Sequence, residues 1–247
     1  MAFYVPLHIN FFTMKKIIFV IFICLFQLCS IGSMMGQTQP QPSKTEKKPV
    51  FIRDRFMFDF HHSFWMNAPK RISPQKFNPG FTVSGMWDFL LPNKAPISFG
   101  LGVGFSYYTH FSHAMLKKDG SGIMQYYVIP ENIDFSVSKV TYNNINIPFE
   151  VRYRHHSGFK VSLGMRLGLT TGISYRYRGL DPLGTGARMN YKSYEVYNKA
   201  KFNYDIYART GWKALGVYFC YQVTKIFDAN KGPQIYPMTV GITVNFF

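Results

Sequence analysis

Between Ile145 and Arg178 apolar and polar residues take turns with a period of two. In the first arm Ile145, Ile147, Phe149, Val151 and Tyr153 alternate with Asn146, Pro148, Glu150, Arg152 and Arg154. His155-His156-Ser157-Gly158 interrupts the run. In the second arm Val161, Leu163, Met165, Leu167, Leu169, Ile173, Tyr175 and Tyr177 alternate with polar, glycine and arginine positions. Successive side chains of a strand point to opposite faces, so the pattern predicts a hairpin with one apolar and one polar face. The second arm outruns the usual length of a globular strand, about five or six residues. Faces so unlike each other need two different surroundings.

Six further segments repeat the pattern. They run from about Arg55 to Trp65, Phe77 to Phe89, Ile97 to Tyr107, Phe202 to Trp212, Leu215 to Val223 and Met238 to Phe246. With the hairpin they make eight strands, the smallest even number usual in membrane barrels. The connections sort by parity. Leu91 to Ala95, His155 to Gly158 and Lys213-Ala214 are short, whereas Asn67 to Lys76, His110 to Asn144, Gly179 to Lys201 and Lys225 to Pro237 are long. Tight turns on one rim and long loops on the other fit an all-β, eight-stranded antiparallel up-and-down transmembrane barrel over residues 55–247.

Aromatic residues collect at both ends of the apolar face. Trp87, Phe89, Tyr153, Phe159, Trp212 and Phe246 fall near the short-turn rim; Phe64, Phe77, Tyr107, Tyr175, Tyr177, Phe202 and Tyr221 fall near the long-loop rim. Such girdles mark the two interfaces of a bilayer. A soluble eight-stranded barrel would show the same alternation with its apolar face turned inward. It would leave a basic, glycine-rich face outside and give no reason for two aromatic rings.

The N-terminus reads as an export signal over residues 1–36. Lys15-Lys16 precede the apolar run Ile17 to Leu28, and small residues follow, so that cleavage after Gly36 or after Gly32 fits. Residues 1–13 read as a start-site extension before Met14. Gln37 to about Asp54 reads as a disordered periplasmic tail. Cys24 and Cys29 leave with the signal, and Cys220 alone cannot form an internal disulfide. The net charge of +16 raises the question of nucleic acid. No zinc-finger spacing, basic helix or RNP-type run supports it, and the arginines are spread along strands.

On the polar face Asp59, Glu150, Arg152, Arg166, Asp205 and Arg209 are expected to fill the lumen as a charge network. Gly100, Gly102, Gly104, Gly164 and Gly168 leave room for long arginines, and eight strands enclose little more than their own side chains. A salt-bridged plug is favoured over a narrow conduction path. His61-His62, His110 with His113, and His155-His156 lack acidic or thiol partners at ligand spacing, so neither a metal nor a cofactor is expected. His62-Ser63 and Ser112-His113 are the nearest approaches to a nucleophile–base pair. The first pair points to opposite faces of a strand, and no enzyme is expected. Arg176, Arg178, Arg188, Lys192, Lys199 and Lys201, with Tyr191, Tyr194 and Tyr197, put cations and rings at the outer surface. They fit contacts to lipid A phosphates or a protein partner, and equally a solvated loop. Phe246 or Phe247 is the expected signal for the barrel-assembly machinery.

The segments Phe56-Met-Phe-Asp-Phe-His-His-Ser-Phe-Trp65, Asn144-Ile-Asn-Ile-Pro-Phe-Glu-Val-Arg-Tyr153 and Lys231-Gly-Pro-Gln-Ile-Tyr-Pro237 resemble the outer-membrane β-barrel domain family often labelled porin-like or PorT-like. The resemblance spans roughly Phe56 to Phe247 and rests on strand and turn patterns. It implies an outer-membrane barrel, mostly without an assigned activity; some related barrels serve a protein-secretion and gliding machinery. The expected role is therefore structural, or binding of lipopolysaccharide or an envelope protein. A narrow porin, a secretion component and a lipid A-modifying enzyme are the alternatives.

Overall fold

The computed structural model describes residues 54–69, 72, 77–91, 96–182 and 185–246. The expectations for the export signal, the tail up to residue 53 and Phe247 lie outside the described residues. Eleven strands follow in order: β1 (Asp54–Met66), β2 (Pro79–Leu90), β3 (Ile97–Phe111), β4 (Ala114–Lys118), β5 (Met124–Val128), β6 (Phe135–Arg154), β7 (Phe159–Leu180), β8 (Arg188–Ser193), β9 (Phe202–Trp212), β10 (Leu215–Gln222) and β11 (Tyr236–Phe246). Eight of them close a ring in the order β1-β2-β3-β6-β7-β9-β10-β11, every pairing antiparallel. The ring shuts where β1 meets β11, in unbroken register from Phe56↔Phe246 to Met66↔Tyr236. These eight are the strands that the alternation predicts.

The two faces separate completely through the middle of the barrel. On β7, Leu167 is 61% exposed on the outer wall while the neighbouring Arg166 is 0% exposed inside. Phe58, Val103, Ile147, Ile206 and Ile242 carry the same outward apolar surface around the ring. A continuous apolar wall of this extent has no place in water, and seven of the eight ring strands reach the length of about 9–11 residues that a crossing takes, β10 having eight. The outward direction of the apolar face excludes the soluble-barrel alternative.

Two features depart from expectation. The first is that the long connections carry structure. β6 begins at Phe135, far ahead of Ile145, and β6 and β7 reach 20 and 22 residues. β4 and β5 form a hairpin of their own, and β8 adds to the upper half of β7, which β9 has left. Beyond the apolar belt the barrel therefore continues as a head. Its core joins Met115, Leu116 and Met124 of the hairpin to Tyr142, Tyr175 and Tyr177 of the extended strands, with Ile226, Phe227 and Ile235 closing from the last loop. Asn198 Nδ2 donates to the carbonyls of Gly122 and Lys231, tying hairpin to loop. Burial pushes the Tyr126 hydroxyl in the hairpin well above the ordinary phenol range.

The second departure is a β-bulge. Asn143 pairs with Gly172 and Asn144 with Thr170, so Thr171 is left without an opposite residue. One extra residue reverses every later side chain of a strand. Leu163 to Leu169 face out at odd positions, yet Ile173, Tyr175 and Tyr177, also odd, face in. Tyr175 and Tyr177 thus do not belong to the outer aromatic girdle; they fill the head. Cysteine labelling reads this reversal. Arg176→Cys in purified protein is expected to react with a polar maleimide at least tenfold faster than Tyr177→Cys, measured against the parent with its buried Cys220. Equal rates would show that the alternation continues through Thr171.

Candidate functional site

Inside the lower barrel the inward positions of β1, β2, β6 and β9 bring together charges far apart in sequence. Arg209 grips Asp59 through two bonds, Nε to Oδ1 at 3.0 Å and Nη2 to Oδ2 at 2.6 Å. Its Nη1 donates to Glu150 Oε1, which also accepts from the Tyr207 hydroxyl at 2.8 Å. Glu150 Oε2 accepts from Arg152 Nε at 2.6 Å, and Arg152 Nη1 passes the chain to Asp88, which also holds Arg154. Higher in the lumen Arg166 Nε and Nη2 share Asp205 Oδ2 at 3.1 and 2.9 Å, and Nη2 donates to Cys220 Sγ at 3.1 Å. The two groups meet across tyrosine rings. Arg209 lies 4.7 Å and Arg166 5.1 Å from the Tyr207 ring centre.

Six expected lumen residues therefore fall into two sets: Asp59, Glu150, Arg152 and Arg209 in one, Arg166 and Asp205 in the other. The first set also takes in Asp88 and Arg154, which the sequence reading does not single out among the site residues. Asp88 sits between Trp87 and Phe89 on the same alternation, and that is the signal that marks it. These ion pairs set four carboxylates against four guanidiniums, so the lattice is neutral and the excess positive charge lies elsewhere. Small residues make the fit. A Cβ on Gly100 would come within 3.0 Å of Arg152 Cζ, and one on Gly164 within 2.5 Å of the Tyr207 ring. Opposite charges at these distances in a side-chain-filled lumen hold one another as hydrogen-bonded pairs, although Arg166 Nη1 and Asp205 Oδ1 find no partner among the described residues.

The remaining candidates lie apart. His62 stacks on Phe77 at 5.2 Å on the outer wall while Ser63 is buried inside. The buried Ser112 hydroxyl donates to the Ala114 carbonyl at 3.3 Å, whereas the exposed His113 packs edge-on to Phe135. Among the described residues no three His, Cys, Asp or Glu side chains converge closely enough for a metal ion. Of the expected outer cations, Arg176 and Lys192 are direct cross-strand neighbours, Arg178 lies opposite Asn190 and Arg188 opposite Leu180. Lys199 bridges to Phe227 through the backbone, and Lys201 leads into β9, where its carbonyl accepts from Thr170. Phe246 closes the ring against Phe56.

The closed ring, its apolar outer wall and its filled interior are the architecture of the small outer-membrane β-barrels. No family model matches the sequence, and no curated protein matches it. Among solved structures, Neisserial surface protein A aligns at 12% identity and a TM-score of 0.35, covering 78% of this chain and 95% of that one. Ail, the attachment invasion locus protein of Yersinia pestis, aligns at 10% identity and a TM-score of 0.34, over 78% of this chain and 97% of that one. The outer membrane protease OmpT from Escherichia coli aligns at 11% identity and a TM-score of 0.32, over 82% and 99%.

Removal of one guanidinium strands the carboxylates it holds. Arg209→Met is expected to lower the unfolding free energy by about 3–5 kcal/mol, because Asp59 stays buried without its arginine and Glu150 keeps only Arg152 and Tyr207. Arg178→Met, on the exposed outer wall, is expected to change it by less than ~0.5 kcal/mol. Urea unfolding of both variants in vesicles checks the difference, and equal effects would contradict a buried lattice.

Proposed function

We propose that this protein is a non-enzymatic outer-membrane barrel that conducts no solute and acts through its extracellular head and outer wall, holding lipid or an envelope partner. In this reading the short turns face the periplasm and the head stands above the outer leaflet. The observation that carries it is the double closure of the lumen. The Asp59–Arg209–Glu150–Arg152–Asp88 chain fills the lower half, and the hairpin core of Met115, Leu116 and Met124 seals the upper mouth. A solute path would have to break a buried ion-pair network and then lift a packed apolar cap.

The same geometry weighs against catalysis. The buried carboxylates are each held by arginine, and His62–Ser63 and Ser112–His113 are split between faces. The head fits a binding role better, since it is ordered by its own core, places Tyr194 and Tyr197 at the surface beside Lys192 and Lys118, and exposes Tyr127 as well. Planar-bilayer recording tests the reading: the reconstituted protein is expected to give no steady single-channel conductance at moderate voltage. Reproducible steps abolished by a bulky substitution in the lumen would replace it with a narrow porin.

A further inference from the structure

The outer wall changes character rung by rung above the apolar belt. The last apolar rung is Phe105, Ile145 and Leu169, aligned across β3, β6 and β7. Next comes Tyr107, Asn143 and Gly172, with the Tyr107 ring stacked on Phe81 at 5.4 Å. A rung of Thr109, Thr141 and Ser174 follows, and above it Phe111, Lys139, Arg176 and Lys192 stand in register across four strands. Three cations are thus immediate lateral neighbours, with strands about 4.8 Å apart. Like charges placed directly opposite each other destabilise a sheet. Among the described residues none of the three forms a salt bridge.

Between this row and Tyr107 lies a groove of about 270 Å³ floored by Thr141, Ser174 and Gly172, and none of its lining residues is acidic. Rings brace the cations at both ends of the row. Lys139 Nζ sits 5.3 Å from the Phe111 ring centre and Lys192 Nζ 4.6 Å from that of Tyr194. The height of the row is set by strand geometry. Lys139 is four residues beyond Asn143, roughly 13 Å along a strand tilted by about 45°, hence roughly 10 Å above the Tyr107 level. Long cationic side chains there reach down into the headgroup layer of a bilayer whose apolar edge is marked by Tyr107.

We infer that Lys139, Arg176 and Lys192 form a binding site on the outer wall for the phosphate of a membrane-embedded phosphorylated glycolipid, its acyl chains lying along Phe105, Ile145 and Leu169. The inference rests on the membrane placement proposed above. Arg176 supplies a bidentate fork, the two lysines supply charge from either side, and Thr141 and Ser174 line the same groove. An anion there relieves the repulsion built into the row. Position favours a lipid over free phosphate, because the groove opens onto the apolar belt.

The test is native mass spectrometry of the purified full chain with bisphosphorylated lipid A, its dephosphorylated form and inorganic phosphate as separate probes. The variant Lys139→Ala/Arg176→Ala/Lys192→Ala is expected to retain bisphosphorylated lipid A at least about fivefold less than the parent. Gly172→Leu should do likewise without removing charge; a Cβ there meets only Asn143 Nδ2, at 3.7 Å, so the side chain grows into the groove. Lys117→Ala/Lys213→Ala/Lys231→Ala, which removes the same charge from exposed positions away from the row, should leave retention unchanged. Equal retention by parent and row variant, equal binding of dephosphorylated lipid, or binding of inorganic phosphate as tight as that of the lipid would each overturn the proposal. Carbonate extraction separates the two levels: a parent that stays in the membrane with no row effect refutes the site alone, and a parent released by carbonate refutes the membrane placement beneath it.

Discussion

Hydrocarbon offers no hydrogen-bond partner, so every backbone N–H and C=O within a bilayer must be satisfied by the sheet itself. That constraint is met at one seam, where β11 pairs along its whole length with β1 and leaves no edge. The rest follows from closure. A closed sheet has an inside and an outside, the period of two assigns each side chain to one of them, and the outside must be apolar. Eight strands then enclose a space too narrow for solvent, which the inward side chains have to fill.

How the interior is filled distinguishes this barrel. Arginines are long enough to reach across neighbouring strands, and Gly100 makes room for the Arg152 guanidinium as Gly164 does for the Tyr207 ring. Four carboxylates balance four guanidiniums, so the lattice needs no outside ion. Well-packed apolar residues in place of the whole lattice would cost little energy, since buried ion pairs seldom stabilise more than good packing does. What the lattice adds is specificity of register, because a one-residue slip of β9 would point Asp205 and Arg209 into lipid. Above the membrane the Thr171 bulge performs the complementary task. Once the apolar belt is passed, the reversal of β7 turns Tyr175 and Tyr177 inward, and the extended strands build a conventional hydrophobic core in water.

The eight membrane strands were legible because each carries several repeats of a two-residue period, and the lumen charges were legible because they ride on that period. Other features lacked such a signal. β4 and β5 are five residues long and their burial has no two-residue period, and β8 alternates for only six residues among polar neighbours. The bulge lies in Thr170-Thr171-Gly172, where no residue type marks the extra position, so the sequence alone gives Tyr175 the parity of Leu169. Lys139 carries no mark for a related reason: it falls between His110 and Asn144, where the sequence shows a long connection, and only strand pairing places it beside Arg176. The basic row is a property of register between strands, which no single segment contains.

The separation of the barrel into a lipid-facing and a sealed inner surface is tested most directly by depth-resolved fluorescence quenching. With Trp65, Trp87 and Trp212 replaced by Phe, single tryptophans at Met165 on the outer wall and at Tyr218 in the lumen report on two sides of one sheet. In vesicles of lipids brominated along the acyl chain, Met165→Trp is expected to be strongly quenched and Tyr218→Trp to keep its emission. Quenching of Tyr218→Trp as strong as that of Met165→Trp, or an unquenched Met165→Trp, would contradict the assignment of the two faces.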